Sequence, residues 1–340
     1  MNTVLKTSIW LRFLKSSRFF VLLVLLPVAG MLACGDEVFL ENALNPSSAL
    51  GISSGDLIVV SGGNVANTAT PYPSHQVFLF SSSGEFKTTL YSSSSPSVTF
   101  VWGADFNVSG SKLYLAVENP DHIETIDLTT AGFPSSTHVN DANLTGATMR
   151  AMATLSDGSI VAAESTQSVE KYDSSGVRVT TNFPFVIAPA AANISNIKRI
   201  SGDRFVILAP GATDDRLRVY ANDGTGGTQY SGGLACNTNC DPSDIVELSD
   251  GRFVVAYQTA NSHRLQILDS NFANATLLYV DANYINMPTT MELMSNGHLI
   301  VCSSIFNSCE ELTISGATAT RTFSNPLLFV RQPIRVLVVP

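Results

Sequence analysis

The sequence predicts an all-β protein: a six-bladed β-propeller of four-stranded antiparallel blades, with its ring closed by the C-terminal strand. Three observations carry this. Charged residues make up only 14% of the 340, and the apolar residues come in short runs cut by Gly, Asn, Asp and Ser. That is the texture of strands and tight turns rather than of helices. A Gly-containing turn leading into an apolar strand recurs as SGDLIVVS (Ser54–Ser61), GSKLYLAV (Gly110–Val117), DGSIVAAE (Asp157–Glu164), GDRFVILA (Gly202–Ala209), DGRFVVAY (Asp250–Tyr257) and NGHLIVCS (Asn296–Ser303). The first apolar residues of these copies are Leu57, Leu113, Ile160, Phe205, Phe253 and Leu299, spaced by 56, 47, 45, 48 and 46 positions. In step with them, a third strand runs into a polar turn at Val77–Gly84, Ile123–Gly132, Val169–Gly176, Leu217–Gly224, Leu265–Phe272 and Leu312–Gly316. A period in the forties with four strands per unit is a propeller signature, because one such small sheet cannot bury both faces without stacking on neighbours.

The clearest unit is Asp241–Val280. It predicts strands over Ser243–Leu248, Phe253–Tyr257, Arg264–Leu268 and Ala275–Val280, with a tight turn at Ser249–Gly251. The two ends of the repeat are each incomplete. Only a short candidate strand, Ala49–Ile52, precedes Leu57, and nothing follows the apolar run in RQPIRVLVVP (Arg331–Pro340). Ring closure accounts for both: Ile334–Val339 supplies the innermost strand of the first blade, and residues 56–92 supply the others. In the clearest unit, Asn261–Asp269 (NSHRLQILD) and Pro242 with Asp250-Gly251-Arg252-Phe253-Val254-Val255 resemble the NHL-like propeller family. The resemblance covers about residues 53–340. That family holds scaffolds, ligand binders and some enzymes, so what it implies is a fold and no particular activity.

The chain opens on a basic stretch, Met1–Arg18, followed by the apolar Phe19–Leu26 and by Pro27–Ala33. This is the layout of an export signal, and the apolar run is short for a membrane-spanning helix. Met31-Leu32-Ala33-Cys34 resembles the bacterial lipobox, in which the Cys is acylated and becomes the new N-terminus. The expected organisation is a lipoprotein signal peptide over 1–33, a lipidated Cys34 with a polar tether over 34–52, and the propeller over 53–340. The resemblance implies export and a lipid anchor in the bacterial cell envelope, facing the periplasm or the cell surface. Each buried methylene of an acyl chain contributes about 0.8 kcal/mol to membrane attachment. The formal charge is −9 overall; residues 1–33 carry four positive charges and no acid, which leaves −13 for the remainder. So acidic a body lacks the clustered cations that nucleic acid requires.

Candidate chemistry is sparse. Gly51–Gly55 (GISSG) fits G-x-S-x-G, but a strand follows it where a nucleophile elbow needs a helix. His75, His122 and His263 share one repeat position, well out from the axis, where a metal site would find its ligands held apart by the ring. No catalytic residue, metal ligand or cofactor is assigned. In an exported chain, Cys236, Cys240, Cys302 and Cys309 are expected to form disulfides. The preferred pairing is 236 with 240 and 302 with 309, among three possible pairings. The longest insertions, Gly62–Ser74, Asn182–Ser195 and part of Ala221–Cys240, open on the same face as both Cys pairs. Loops on one face of a rigid scaffold are where binding usually resides. Arg150, Asn196, Asp244, Thr290 and Arg335, with Trp102, lie in or near the innermost strands, where they either reach that mouth or hydrate the channel. The leading expectation is a lipid-anchored binding or scaffold module for an envelope protein or small ligand. The alternative is a metal-dependent hydrolase or lactonase-like enzyme at the central channel, for which Asp244 and Asn196 are the only candidate ligands. A Cys34→Ser chain expressed in a bacterial host is expected to lose incorporation of labelled palmitate, and persistent labelling would exclude Cys34 as the acylated residue.

Overall fold

The computed structural model describes residues 51–62, 75–92, 100–118, 121–141, 144, 149–164, 167–187, 194–210, 216–230, 240–259, 264–279, 285, 287–323, 327–330 and 332–340. The expected signal peptide, Cys34 and nearly all of the expected tether lie outside them. So do Cys236, His263, nearly all of the insertion Gly62–Ser74 and parts of the other two.

The described residues form six antiparallel sheets arranged as a six-bladed propeller. Blade 1 is built from β1 (Leu57–Ser61), β2 (Gln76–Phe80) and β3 (Phe86–Ser92), with the last strand of the chain, β26 (Pro333–Val338), on its inner edge. Blade 2 holds β4 (Phe100–Phe106), β5 (Lys112–Glu118), β6 (His122–Asp127) and β7 (Ser135–Val139). Blade 3 holds β8 (Met149–Thr154), β9 (Ile160–Glu164), β10 (Ser168–Tyr172) and β11 (Arg178–Val179), and the short β12 (Phe185–Val186) also pairs with β10. Blade 4 runs β13 (Asn196–Ile200), β14 (Arg204–Ala209), β15 (Arg216–Ala221) and β16 (Gly226–Tyr230). Blade 5 runs β17 (Cys240–Glu247), β18 (Phe253–Thr259), β19 (Arg264–Leu268) and β20 (Thr276–Tyr279). Blade 6 runs β21 (Pro288–Leu293), β22 (Leu299–Ser303), β23 (Ser308–Ser315) and β24 (Thr318–Arg321), with β25 (Leu328–Phe329) also on β23.

Six apolar clusters fill the six junctions between neighbouring blades. Their origin is the period of two along each strand combined with burial of both sheet faces. In β1 every residue is buried, and the faces divide. Leu57 and Val59 join the cluster shared with blade 6, whereas Ile58 and Val60 join the one shared with blade 2. This is why the second strands read as unbroken apolar runs and made the clearest landmark in the sequence. Close approach also constrains residue size. Gly84 sits in a turn with φ +84°, and a methyl group there would meet the Leu327 carbonyl oxygen at 2.2 Å. A side chain at that point would push blade 1 away from blade 6.

The closure is as expected. Leu57 to Val60 pair antiparallel with Val338 to Arg335, and Gly55 and Val339 add further backbone bonds at the end of this pairing. The expectation for residues 49–52 is corrected within the described part: Gly51 and Ile52 form no strand. Ile52 packs instead against the cluster of blades 1 and 2, because β26 already occupies the β1 edge that another strand would need. A chain lacking residues 334–340 loses the inner strand of blade 1. Its cooperative thermal unfolding transition is expected to disappear, and a melting temperature equal to that of the intact chain would refute closure as the source of stability.

Candidate functional site

The chain enters each inner strand at the face that carries the loops between blades and between second and third strands. Five of the inner strands begin with a bulge. The registers skip one residue at Trp102, Arg150, Ser243, Thr289 and Ile334, and Ser195 takes the corresponding place just before β13. A bulge re-aims side chains, and here it repeats around the ring. The residues immediately after it are Gly103, Ala151, Asn196, Asp244, Thr290 and Arg335, one per blade, and they form a layer at the axis.

Sequence reasoning placed Asn196, Asp244, Thr290 and Arg335 near the axis. The structure brings all four together, buried and bonded to one another. The Asn196 amide donates to Asp244 Oδ1 (2.7 Å) and to the Ser243 carbonyl (3.3 Å). Thr290 Oγ1 donates to Asp244 Oδ2 (3.0 Å), which also accepts the Met291 N–H (2.7 Å). The Val336 N–H donates to Thr290 Oγ1 (3.1 Å). Arg335 completes the ring across its centre, with Nη1 on Asn196 Oδ1 (2.6 Å), Nη2 on the Ile197 carbonyl (3.4 Å) and Nε on the Ala104 carbonyl (3.4 Å). Its guanidinium lies 3.8 Å from Asp244 Oδ1, and Asp244 itself is fully buried. Gly103 and Ala151 are the small members of the layer. A methyl on Gly103 would come within 3.0 Å of Met152 in blade 3, so no larger residue fits that approach.

Asp244 and Asn196 were also the candidate metal ligands of the enzymatic alternative. Both Asp244 oxygens already accept bonds, Oδ1 from Asn196 and the Ile245 N–H and Oδ2 from Thr290 and Met291. A cation could recruit this carboxylate only by breaking bonds that join blades 4, 5 and 6. Among the described residues no group of three His, Cys, Asp or Glu side chains is placed to hold a metal ion. Below this layer, Lys198 bridges to Glu292 (2.6 Å) and stands 4.0 Å from Asp244. Asp105 accepts the N–H groups of Thr154 and Phe106, both at 2.8 Å. Burial is the main influence on Asp105 and raises its carboxyl pKa, against those bonds and the charges of Arg335 and Lys198.

The bulge residues divide into two sets. In blades 4, 5 and 6 each hydroxyl clasps the next blade: Ser195 to the Pro242 carbonyl, Ser243 to Pro288 and Thr289 to Pro333, each at 2.6 Å. Sequence reasoning missed these clasps, although three prolines at one repeat position (Pro242, Pro288 and Pro333), two of them followed by a hydroxyl residue (Ser243 and Thr289), were a usable signal. In blades 2 and 3 the same position carries Trp102 and Arg150. Trp102 Nε1 donates to Glu118, its ring stacks on Phe100 (5.8 Å between centroids), and the Arg150 guanidinium lies 4.8 Å from the indole centroid. Both side chains are half-buried. His75, the buried first member of the histidine series, accepts the Val101 N–H at Nδ1 (2.8 Å) and so joins blade 1 to blade 2; burial lowers its pKa and favours this neutral role. His122 instead lies 3.6 Å from Glu124.

Cys302 and Cys309 are disulfide-bonded, as expected, across directly paired positions of β22 and β23. The bond closes the loop between them at the loop-bearing face, and its tip leaves Ile305 48% and Phe306 37% exposed. For the other proposed pair, Cys236 lies outside the described residues, as does the Cys240 side chain.

No family model and no curated protein matches this sequence. Solved structures share the architecture. One, from a nidogen/laminin complex, aligns with a TM-score of 0.61 at 11% identity over 84% of this chain and 99% of that one. TolB from Acinetobacter baumannii aligns at 0.56 and 15% identity, over 83% of this chain and 66% of that one. Virginiamycin B lyase from Staphylococcus aureus aligns at 0.51 and 15% identity, over 67% and 72%. At such identities the likeness establishes the propeller fold.

An Arg335→Met substitution removes the central donor and leaves Asp244 buried with its nearest remaining cation, Lys198, 4.0 Å away. It is expected to cost about 3 kcal/mol of stability, read from the urea midpoint, as for a buried pair that loses one partner. A change below about 1 kcal/mol would show that the ring does not depend on this group.

Proposed function

We propose that this chain is a binding module held at the bacterial cell envelope by lipid on Cys34, and that it engages a protein partner through its loop-bearing face. The observation that carries this reading is a division of labour. The polar residues at the axis are engaged with one another, while half-buried Trp102 and Arg150 and the exposed Ile305 and Phe306 stand on the loop-bearing side. Exposed aromatic and aliphatic side chains on a disulfide-closed loop lose little entropy on docking, which suits an anchor. The same fold occurs in a structure of a nidogen/laminin complex, an instance of a propeller seen with a protein partner.

The reading is tested by capture from native envelope with the lipidated chain that begins at Cys34, in parallel with an Ile305→Asp, Phe306→Asp double variant. The expected result is recovery of a specific partner that falls at least tenfold with the variant, while both chains melt at the same temperature. Equal recovery by the two chains would overturn the role of this face. Metal analysis of the dialysed protein tests the enzymatic alternative: one divalent ion per chain would favour a hydrolase or lactonase-like site at the axis.

A further inference from the structure

The break in the hydroxyl clasp points to one place on the ring. At the bulge position, blades 4, 5 and 6 carry Ser195, Ser243 and Thr289, each bonded to the next blade. Blades 2 and 3 carry Trp102 and Arg150 instead, and these contact each other across the blade junction. The junction of blades 1 and 2 is secured by the bond from Val101 to His75, so Trp102 is not needed to clasp there. Trp102 is itself held firmly, by Glu118 at its Nε1 and by Phe100 against its ring. Among the described residues, Arg150 makes no hydrogen bond or ion pair; its contact is with the indole face of Trp102. A guanidinium in contact with an aromatic ring is oriented by that contact, and the N–H donors along its edge can still reach an acceptor. Such a group matches a carboxylate, which takes two parallel N–H bonds in one plane.

We propose that Arg150, positioned by Trp102, is a recognition site for a single carboxylate on a peptide segment of the partner, flanked by an apolar residue that lies against Trp102 and Phe100. A carboxylate fits better than a phosphate for two reasons. One cation balances one negative charge, and the body beyond residue 33 carries −13, which opposes a dianion. The assignment rests on the loop-face reading above and names the chemistry of its partner.

The sequence supplies the probe. The chain has 2 tryptophans, Trp10 and Trp102, so a full-length Trp10→Phe chain reports Trp102 alone by its fluorescence. It is titrated with acetyl-Leu-Glu-Leu-amide, with the matching Gln peptide and with inorganic phosphate. The Glu peptide is expected to shift Trp102 emission saturably, with the Gln peptide at least tenfold weaker. Arg150→Gln should abolish the response, and Arg150→Lys should weaken it severalfold through loss of the planar fork. No saturable response, or an equal response in a folded Arg150→Gln chain, overturns the site. A stronger response to phosphate overturns the choice of carboxylate. Failure of the titration alongside Ile305- and Phe306-dependent capture would remove this site and leave the loop-face reading standing, whereas failure of both removes both.

Discussion

The buried contact of Arg335 with Asn196, beside Asp244, is the interaction on which the ring most depends. Arg335 comes from the last strand of the chain, and that strand is the inner edge of the first blade. From there its side chain crosses to blade 4 and also reaches the Ala104 carbonyl in blade 2. Strand pairing closes the circle along its circumference, and this guanidinium ties it through the centre. Six small sheets joined only by apolar packing could slide past one another, since apolar contact is not directional. Directional bonds to fixed backbone groups remove that freedom, and they stabilise the fold because each buried polar group in the layer finds partners.

That satisfaction bears on function. A central channel is the usual place to seek a propeller's chemistry, yet here its carboxylate is saturated with donors from its own and neighbouring blades. The asymmetry lies one residue earlier in each inner strand. Half of the ring uses that position for hydroxyl clasps, while two neighbouring blades place an indole and a guanidinium there. Departures from a structural repeat are informative because the repeat itself shows what architecture requires at that position. Trp102 and Arg150 exceed that requirement.

Much of the fold was legible in the sequence. The landmark residues Leu57, Ile160, Phe253 and Leu299 each open a second strand, and β19 has the predicted bounds. Legibility came from the burial of both sheet faces, which writes an uninterrupted apolar run between two turns. The ends of the repeat were harder to read. The stretch before Leu57 looked like a strand, but Ile52 is an apolar residue packed on a core without joining a sheet. Of the candidate site, the residue identities were legible and the partnerships were not. Asp244 and Asn196 looked like potential ligands, and Arg150 and Arg335 looked alike. One arginine is a buried tie, and the other rests on an indole.

By itself, then, the sequence determined the number of blades, their strand order and the ring closure, and it favoured the bridge between Cys302 and Cys309 among three pairings. These follow from local periodicity, turn chemistry and the spacing of neighbouring strands, all short-range properties of the chain. Only the tertiary structure decided which polar residues satisfy one another. Arg335 and Asn196 are 139 positions apart in sequence, and their contact exists because ring geometry brings opposite blades to a common axis. No local pattern encodes a distance across that axis. The same geometry separates Trp102 and Arg150 from their repeat equivalents, placing a cation on an aromatic ring where other blades place a clasp.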